Sequence, residues 1–340
     1  MARSAQDYDE SDVRIRPNRR GSRPRTKERP AHADAVTGRV LVVDRGRYTT
    51  LVRQGGERRV LAMRARELGR KGIVVGDEVH LVGDVSGDEG SLARIVRVSP
   101  RMTVLRRTAD DTDPVERILV ANADQLVVVT ALANPEPRPR MIDRCLVAAY
   151  DAGMEPLLVL TKSDLADAAP FLEQYAPLDV RYVVTSRADG ARTGVEELRA
   201  LLAGRVSVLI GHSGVGKSTL VNALVPDALR AVGVVNDVTG RGRHTSSSAV
   251  ALPLPDDDGW VIDTPGVRSF GLAHVDPARI ISHFPDLEPG TAQCPRGCTH
   301  DEEECALGAW VDSGAAGPAG VSRLESLRRL LRSRSPGQGE

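Results

Sequence analysis

Gly211-His212-Ser213-Gly214-Val215-Gly216-Lys217-Ser218 decides the central fold. The octapeptide fits G-x-x-x-x-G-K-[ST], follows the apolar run 206–210 and precedes the helical pattern 219–224. Strand, glycine loop and helix in that order predict a phosphate-binding loop in an α/β domain. Glycines let the backbone N–H groups wrap closely around phosphate, and the start of the following helix adds a favourable dipole. Lys217 is expected to reach the β- and γ-phosphates, and Ser218 to ligate Mg²⁺. His212, Ser213, Gly214, Val215, Gly216 and Thr219 complete the expected cradle from Gly211 onward.

Outward from this loop, apolar strand patterns at 125–130, 156–161, 180–185 and 206–211 alternate with helical patterns at 140–153 and 196–203. That rhythm predicts βαβ units and a mostly parallel sheet. Thr161-Lys162-Ser163-Asp164 closes one of the strands and matches [NT]-K-x-D. The Asp164 carboxylate can accept from the N1–H and exocyclic amine of guanine, donors that adenine does not present in that arrangement. Lys162 can lay its stem along the base. Thr185 and Ser186 end the next strand, where a small polar loop would steady the base. Asp263-Thr264-Pro265-Gly266 follows the apolar 260–262 and matches D-x-x-G. There Asp263 would hold Mg²⁺ through water and the Gly266 amide would sense the γ-phosphate. The polar stretch 239–248 between them suits a switch, with Thr245 the favoured Mg²⁺-sensing threonine and Thr239 its rival.

The guanine motif here precedes the phosphate loop, whereas the phosphate loop comes first in ordinary small GTPases. A parallel sheet tolerates this circular permutation, because the site is assembled from loops at the carboxyl ends of strands.

Around this domain the composition is that of a soluble globular chain: 41% apolar, 27% charged, formal net charge zero. A uniformly basic nucleic-acid coat is excluded, yet residues 13–30 carry Arg14, Arg16, Arg19, Arg20, Arg23, Arg25, Lys27 and Arg29 with almost no large apolar side chains. Such a segment cannot offset its ordering entropy by burial and reads as a disordered basic tail, suited to RNA phosphate or simply solvated. Neither a signal-peptide core nor an apolar run of bilayer length is present, so a cytoplasmic protein is expected. The β-branched stretch 37–98, broken by Gly-rich turns, predicts five short strands in an OB-type or SH3-like barrel. Cys294, Cys298, His300 and Cys305 form a Cys₃His set that suits a closed, structural Zn²⁺ site. Cys145 stands alone on a helical pattern and is expected in the core.

These residues resemble the ribosome small-subunit-dependent GTPase A family (RsgA, also called YjeQ) over roughly residues 37–331. The resemblance is carried by the permuted motif order, Gly240-Arg241-Gly242-Arg243-His244-Thr245, Asp263-Thr264-Pro265-Gly266-Val267-Arg268 and the Cys/His cluster. Two departures stand out: C-x3-C-x-H-x4-C has shorter gaps than the family pattern, and His212 replaces a polar amide. The implied fold is multidomain: an OB-fold barrel, a circularly permuted α/β P-loop GTPase domain and a mainly helical or irregular zinc-binding C-terminal domain. The expected divisions are a basic tail at 1–35, the barrel at 36–100, a linker at 101–117, the GTPase domain at 118–273, the zinc domain at 274–332 and a flexible end at 333–340.

The implied activity is hydrolysis of GTP to GDP, stimulated by the small (30S) ribosomal subunit, in a monomer acting late in maturation of that subunit and contacting 16S rRNA but not DNA. Val267 stands where Ras-like proteins place a water-orienting glutamine, so hydrolysis is expected to be slow alone. His244 is the internal candidate to position water, beside Lys217 and Thr245 as the other catalytic groups. Arg241 and Arg243 could contact phosphate or RNA. The rival reading is an rRNA-docking module in which GTP is a structural or regulatory ligand.

Overall fold

A computed structural model describes residues 32–69, 72–108, 116–187, 193–226, 249–255, 258–265, 271–272 and 274–333. The basic tail expected at 13–30 lies outside them. Strands β1 (Val36–Asp44), β2 (Arg47–Val52), β3 (Arg58–Arg64), β4 (Glu78–Gly83) and β5 (Ala93–Val98) are the five short strands expected between the Gly-rich turns. They pair in the order β1-β2-β3-β5-β4, β4 returns to β1, and β3 runs parallel to β5. This closed Greek-key order settles the barrel as OB-type. Val40, Val52, Val60, Val79, Leu81 and Ile95 fill its interior. Leu41, Val42 and Leu51 point the other way, into the larger core shared with the rest of the chain.

The stretch expected as a linker is structured at its start. Arg101 makes a two-pronged ion pair to the fully buried Asp77, at 2.7 and 2.8 Å. Strand β6 (Val104–Arg107) then pairs antiparallel with β7 (Arg117–Ala121). Buried Leu105 and Val120 explain the hairpin; its charged flanks hid it in the sequence.

In the central domain β8 (Gln125–Ala131), α1 (Pro139–Ala152), β9 (Glu155–Thr161), α2 (Ala169–Tyr175), β10 (Arg181–Val184), α3 (Val195–Leu202), β11 (Arg205–Gly211) and α4 (Lys217–Leu224) alternate, and all but the short α2 match patterns read in the sequence. After them come β12 (Val250–Pro253) and β13 (Gly259–Asp263). The sheet order is β10-β9-β8-β11-β13, all parallel, with β12 antiparallel on β13. Strand β8 is buried along its whole length, as expected where helices cover both faces. A single register pair, Val42 with Val250, joins β12 to β1, and the barrel thereby continues the sheet.

Beyond the sheet lie α5 (Pro277–Ile281), a 3₁₀ turn (Glu288–Gln293), α6 (Ala306–Asp312) and α7 (Gly320–Ser333). Helix α7 presents Leu324, Leu327, Leu330 and Leu331 to the main core. Its arginines tie it to the central domain: Arg329 Nε lies 3.0 Å from buried Asp143 of α1, and Arg323 donates to the Pro177 carbonyl at 2.8 Å. Cys145 is fully buried on α1, and burial pushes its thiol up to about 12. No described helix is long and apolar enough to cross a membrane.

Candidate nucleotide site and metal centre

The carboxyl ends of β8, β9, β10, β11 and β13 share one edge of the parallel sheet, and the described nucleotide-site residues sit at these strand ends, on the loops that follow them, or in the first turn of α4. After β11 the chain turns through Gly211 to Gly216 and enters α4 at Lys217. Gly211 has no room for a side chain, since a Cβ would lie 2.5 Å from the Val129 carbonyl of the neighbouring strand. Gly216 has φ of 91°, a left-handed conformation that glycine adopts without strain.

The guanine motif is bonded directly to this loop. Thr161 Oγ1 donates to the Val215 carbonyl at 2.6 Å, and Lys162 Nζ donates to the Gly214 carbonyl at 2.9 Å. Lys162 Nζ also donates to the Asn134 carbonyl on the loop after β8. Asp164 Oδ1 accepts from Ser186 Oγ at 3.1 Å and from the Arg187 amide at 3.5 Å. Hydrogen bonds, first from its own amide, then from Arg187 and Ser186, hold the Asp164 carboxyl below its ordinary range. Thr185 is buried, and its carbonyl accepts from the Ser163 amide at 3.3 Å, which locks the two loops together.

A cleft of about 230 Å³ is lined by Lys162, Asp164 and Ser186 together with Gly216, Thr219 and Leu220. Motifs more than 50 residues apart in sequence thus wall one space. Its chemistry suits a planar base beside phosphate: an ionised acceptor from Asp164, aliphatic lining from Leu165 and Val195, and Gly216 of the phosphate loop.

Lys217 is buried, and its Nζ donates to Asp263 Oδ1 and to the Thr264 carbonyl. Thr264 Oγ1 anchors that turn on the Leu209 carbonyl at 2.7 Å. The hydroxyl of Ser218 and the carboxylate of Asp263 are hard oxygen donors of the kind Mg²⁺ takes. Ser213, Ser218 and Thr219 are exposed, His212 is half-buried, and His212 Nδ1 lies 3.0 Å from the Ser213 carbonyl. Gly266, Val267, Thr239, Arg241, Arg243, His244 and Thr245 lie outside the described residues. Leu165, Arg187, Val195 and the carbonyls of Asn134 and Thr264 were not read from the sequence. Arg187 directly follows Ser186 and could have been included; the carbonyls carry no side-chain signal.

Cys294, Cys298, His300 and Cys305 bring their ligand atoms within 4.8 Å of one another. A tetrahedral ion with Zn–S of about 2.3 Å and Zn–N of about 2.0 Å requires S···S near 3.8 Å and S···N near 3.6 Å. The observed separations are 3.8 Å for Cys294–Cys305, 3.5 Å for Cys294–His300 and 3.6 Å for Cys305–His300. Those three atoms have tetrahedral spacing, and Cys298 Sγ, which accepts from the His300 amide at 3.3 Å, lies within 4.8 Å of them, so the set can close on zinc despite its short gaps. Burial lowers the pKa of His300, which favours the neutral, ligating imidazole. Arg328 Nε donates to the His300 carbonyl at 3.1 Å, linking the cluster to α7.

The family model described as RsgA GTPase matches residues 98–273. A protein from Gemmatimonas aurantiaca named small ribosomal subunit biogenesis GTPase RsgA is 36% identical over 311 residues, covering 88% of this chain and 99% of its own length. The protein of the same name from Pseudomonas fluorescens is 39% identical over 269 residues, covering 77% of this chain and 75% of its own. Among solved structures, YjeQ from Thermotoga maritima aligns with a TM-score of 0.63 at 28% identity, over 88% of this chain and 98% of that one. YloQ, described as a circularly permuted GTPase, aligns with a TM-score of 0.60 at 20% identity over 91% and 99%, a likeness of fold.

Proposed function

Because this chain belongs to the RsgA GTPase family, we propose that it binds the small (30S) ribosomal subunit and hydrolyses GTP to GDP and phosphate as a late checkpoint in maturation of that subunit. The observation that carries the reading is the single cleft in which Asp164 faces the phosphate loop through Gly216 and Thr219. A switch of this kind sets affinity for its partner by nucleotide state.

Asp164 reads the guanine edge, Lys162 lies along the base, and Thr185 and Ser186 steady it. Residues 211–219 hold the phosphates with inward N–H groups, and Lys217 leaves Asp263 for the β- and γ-phosphates when nucleotide binds. Ser218, Thr245 and Asp263 hold Mg²⁺, which when bound neutralises charge on the phosphates. Gly266 senses the γ-phosphate. Val267 cannot orient water by hydrogen bonding, so the rate is low until His244 or a group of the subunit enters the site. The barrel and basic tail contact 16S rRNA; DNA is not a partner. Cys294, Cys298, His300 and Cys305 hold one Zn²⁺, which serves as a structural cross-link because all four positions are protein. The protein works as a cytoplasmic monomer.

Co-sedimentation tests the partner. The protein should pellet with 30S particles in the presence of a non-hydrolysable GTP analogue and be released by GDP. Equal pelleting with 30S and 50S particles, indifferent to nucleotide, would overturn the reading.

A further inference from the structure

The loop between β8 and α1 has no motif of its own, yet it packs against the phosphate loop. Pro135 Cδ lies 3.6 Å from the position a Cβ would take on Gly214. Glu136, Arg138 and Met141 share a small crevice with Gly211, His212 and Val215. Within this loop the Asn134 carbonyl accepts from Lys162 Nζ, whose other acceptor is the Gly214 carbonyl at 2.9 Å. The Lys162 ammonium thus joins three loops: its own, the phosphate loop and the β8–α1 loop.

The backbone at both ends of this joint is unusual. Asn134 has φ of 47° and Lys162 has φ of 60°. The left-handed region is open to asparagine at modest cost and closed in practice to β-branched residues. At Asn134 that conformation accompanies a carbonyl aimed at the ammonium. A side chain that cannot hold it would turn the carbonyl away and leave Lys162 with one fixed acceptor instead of two.

We propose that Asn134 is a positioning residue for guanine-nucleotide binding: its carbonyl fixes the Lys162 ammonium against Gly214, so that the lysine stem is held along the cleft before the base arrives. The inference rests on the reading of the cleft as a guanine-nucleotide site. It names a role for the chain between β8 and α1, which contributes no residue to the lining of the cleft. Its effect falls on affinity for GDP and GTP alike, because it holds the wall of the base cleft rather than the reacting phosphate. Discrimination between guanine and adenine stays with Asp164.

The test is a double-mutant cycle read by binding of N-methylanthraniloyl-GDP to the full chain. Lys162→Met keeps the stem and removes the ammonium. Asn134→Val should weaken binding about five- to tenfold, the loss of one charge-assisted bond at a partly solvated site, and should raise KM for GTP with kcat unchanged. Asn134→Gly, free to adopt the same backbone, should recover most of that affinity. In the Lys162→Met background Asn134→Val should change binding by less than about twofold, whereas a merely structural role would cost as much as it does beside an intact lysine. If Asn134→Val fails to fold, as judged by circular dichroism, Asn134→Ala takes its place in the cycle. Native affinity in the Asn134 variant, or an equal loss in both backgrounds, overturns the proposal. Failure of the unmodified protein to bind the labelled GDP would overturn the nucleotide reading along with it.

Discussion

Asparagine at position 164 changes one atom of the base cleft and should exchange its preferred nucleotide. Asp164 is exposed, its carboxyl is held below the ordinary range, and Ser186 and Arg187 fix Oδ1 at 3.1 and 3.5 Å. It is therefore an ionised acceptor aimed by its neighbours. Guanine gives that carboxylate two donors, and a hydrogen bond to a charged group contributes about 1.5–3 kcal/mol. Asp164→Asn keeps one acceptor and turns the other position into a donor facing the guanine amine. The loss should be about 3–4 kcal/mol, or 10²–10³ in affinity for GDP. Xanthine carries a carbonyl where guanine carries the amine, so the new amide can donate to it. The variant should bind XDP more tightly than GDP, while the unmodified protein does the reverse. Competition of both nucleotides against N-methylanthraniloyl-GDP, with a thermal melt to confirm an unchanged fold, reads this directly. GDP affinity within about threefold of the unmodified protein, or a loss for GDP with no reversal toward XDP, would show that Asp164 does not read the base.

Other parts of the molecule give independent outcomes. Metal analysis should find about one zinc per chain, and Cys305→Ala should abolish it and lower the melting temperature by about 1.5–3 °C, the shift that about 1–2 kcal/mol produces at roughly 2.1 cal/mol/K of unfolding entropy per residue. Gly211→Ala places a Cβ 2.5 Å from the Val129 carbonyl; denaturant titration should show a loss of about 1–3 kcal/mol, together with weaker nucleotide binding. Asp143 is raised by burial, against the pull of Arg329, to about 6 from 3.8. A carboxyl raised on folding contributes stability below the unfolded value and loses it as pH climbs through the folded one. Relative to Asp143→Asn, the unmodified protein should therefore lose stability between about pH 4 and 6, and a stability difference independent of pH would refute this.

The sequence announced the nucleotide site because its chemistry is concentrated in short contiguous motifs beside strands of strong apolar character. The Gly211–Ser218 loop, Thr161–Asp164 and Asp263 all came to the same sheet edge. What escaped depends on distant pairing. Five strands of similar length serve an OB or an SH3-like barrel equally well, and only the β1–β4 closure and parallel β3–β5 contact separate them. The β6–β7 hairpin was hidden because Arg106, Arg107 and Arg117 surround the few apolar residues it buries. Asn134 and Thr264 act through backbone carbonyls, whose direction follows from φ and ψ rather than from residue type. The Cys/His spacing named a ligand set; the 3.5–3.8 Å separations that match a tetrahedral ion came only with the fold.

The most direct test is turnover of GTP and ATP by the purified protein, alone and with 30S, 50S and 70S particles. Slow hydrolysis of GTP alone, strong stimulation by 30S particles and no comparable effect on ATP are the predicted results. Tight GTP binding with no stimulation by any particle would contradict the checkpoint reading and leave a docking protein for which the nucleotide is a ligand rather than a substrate.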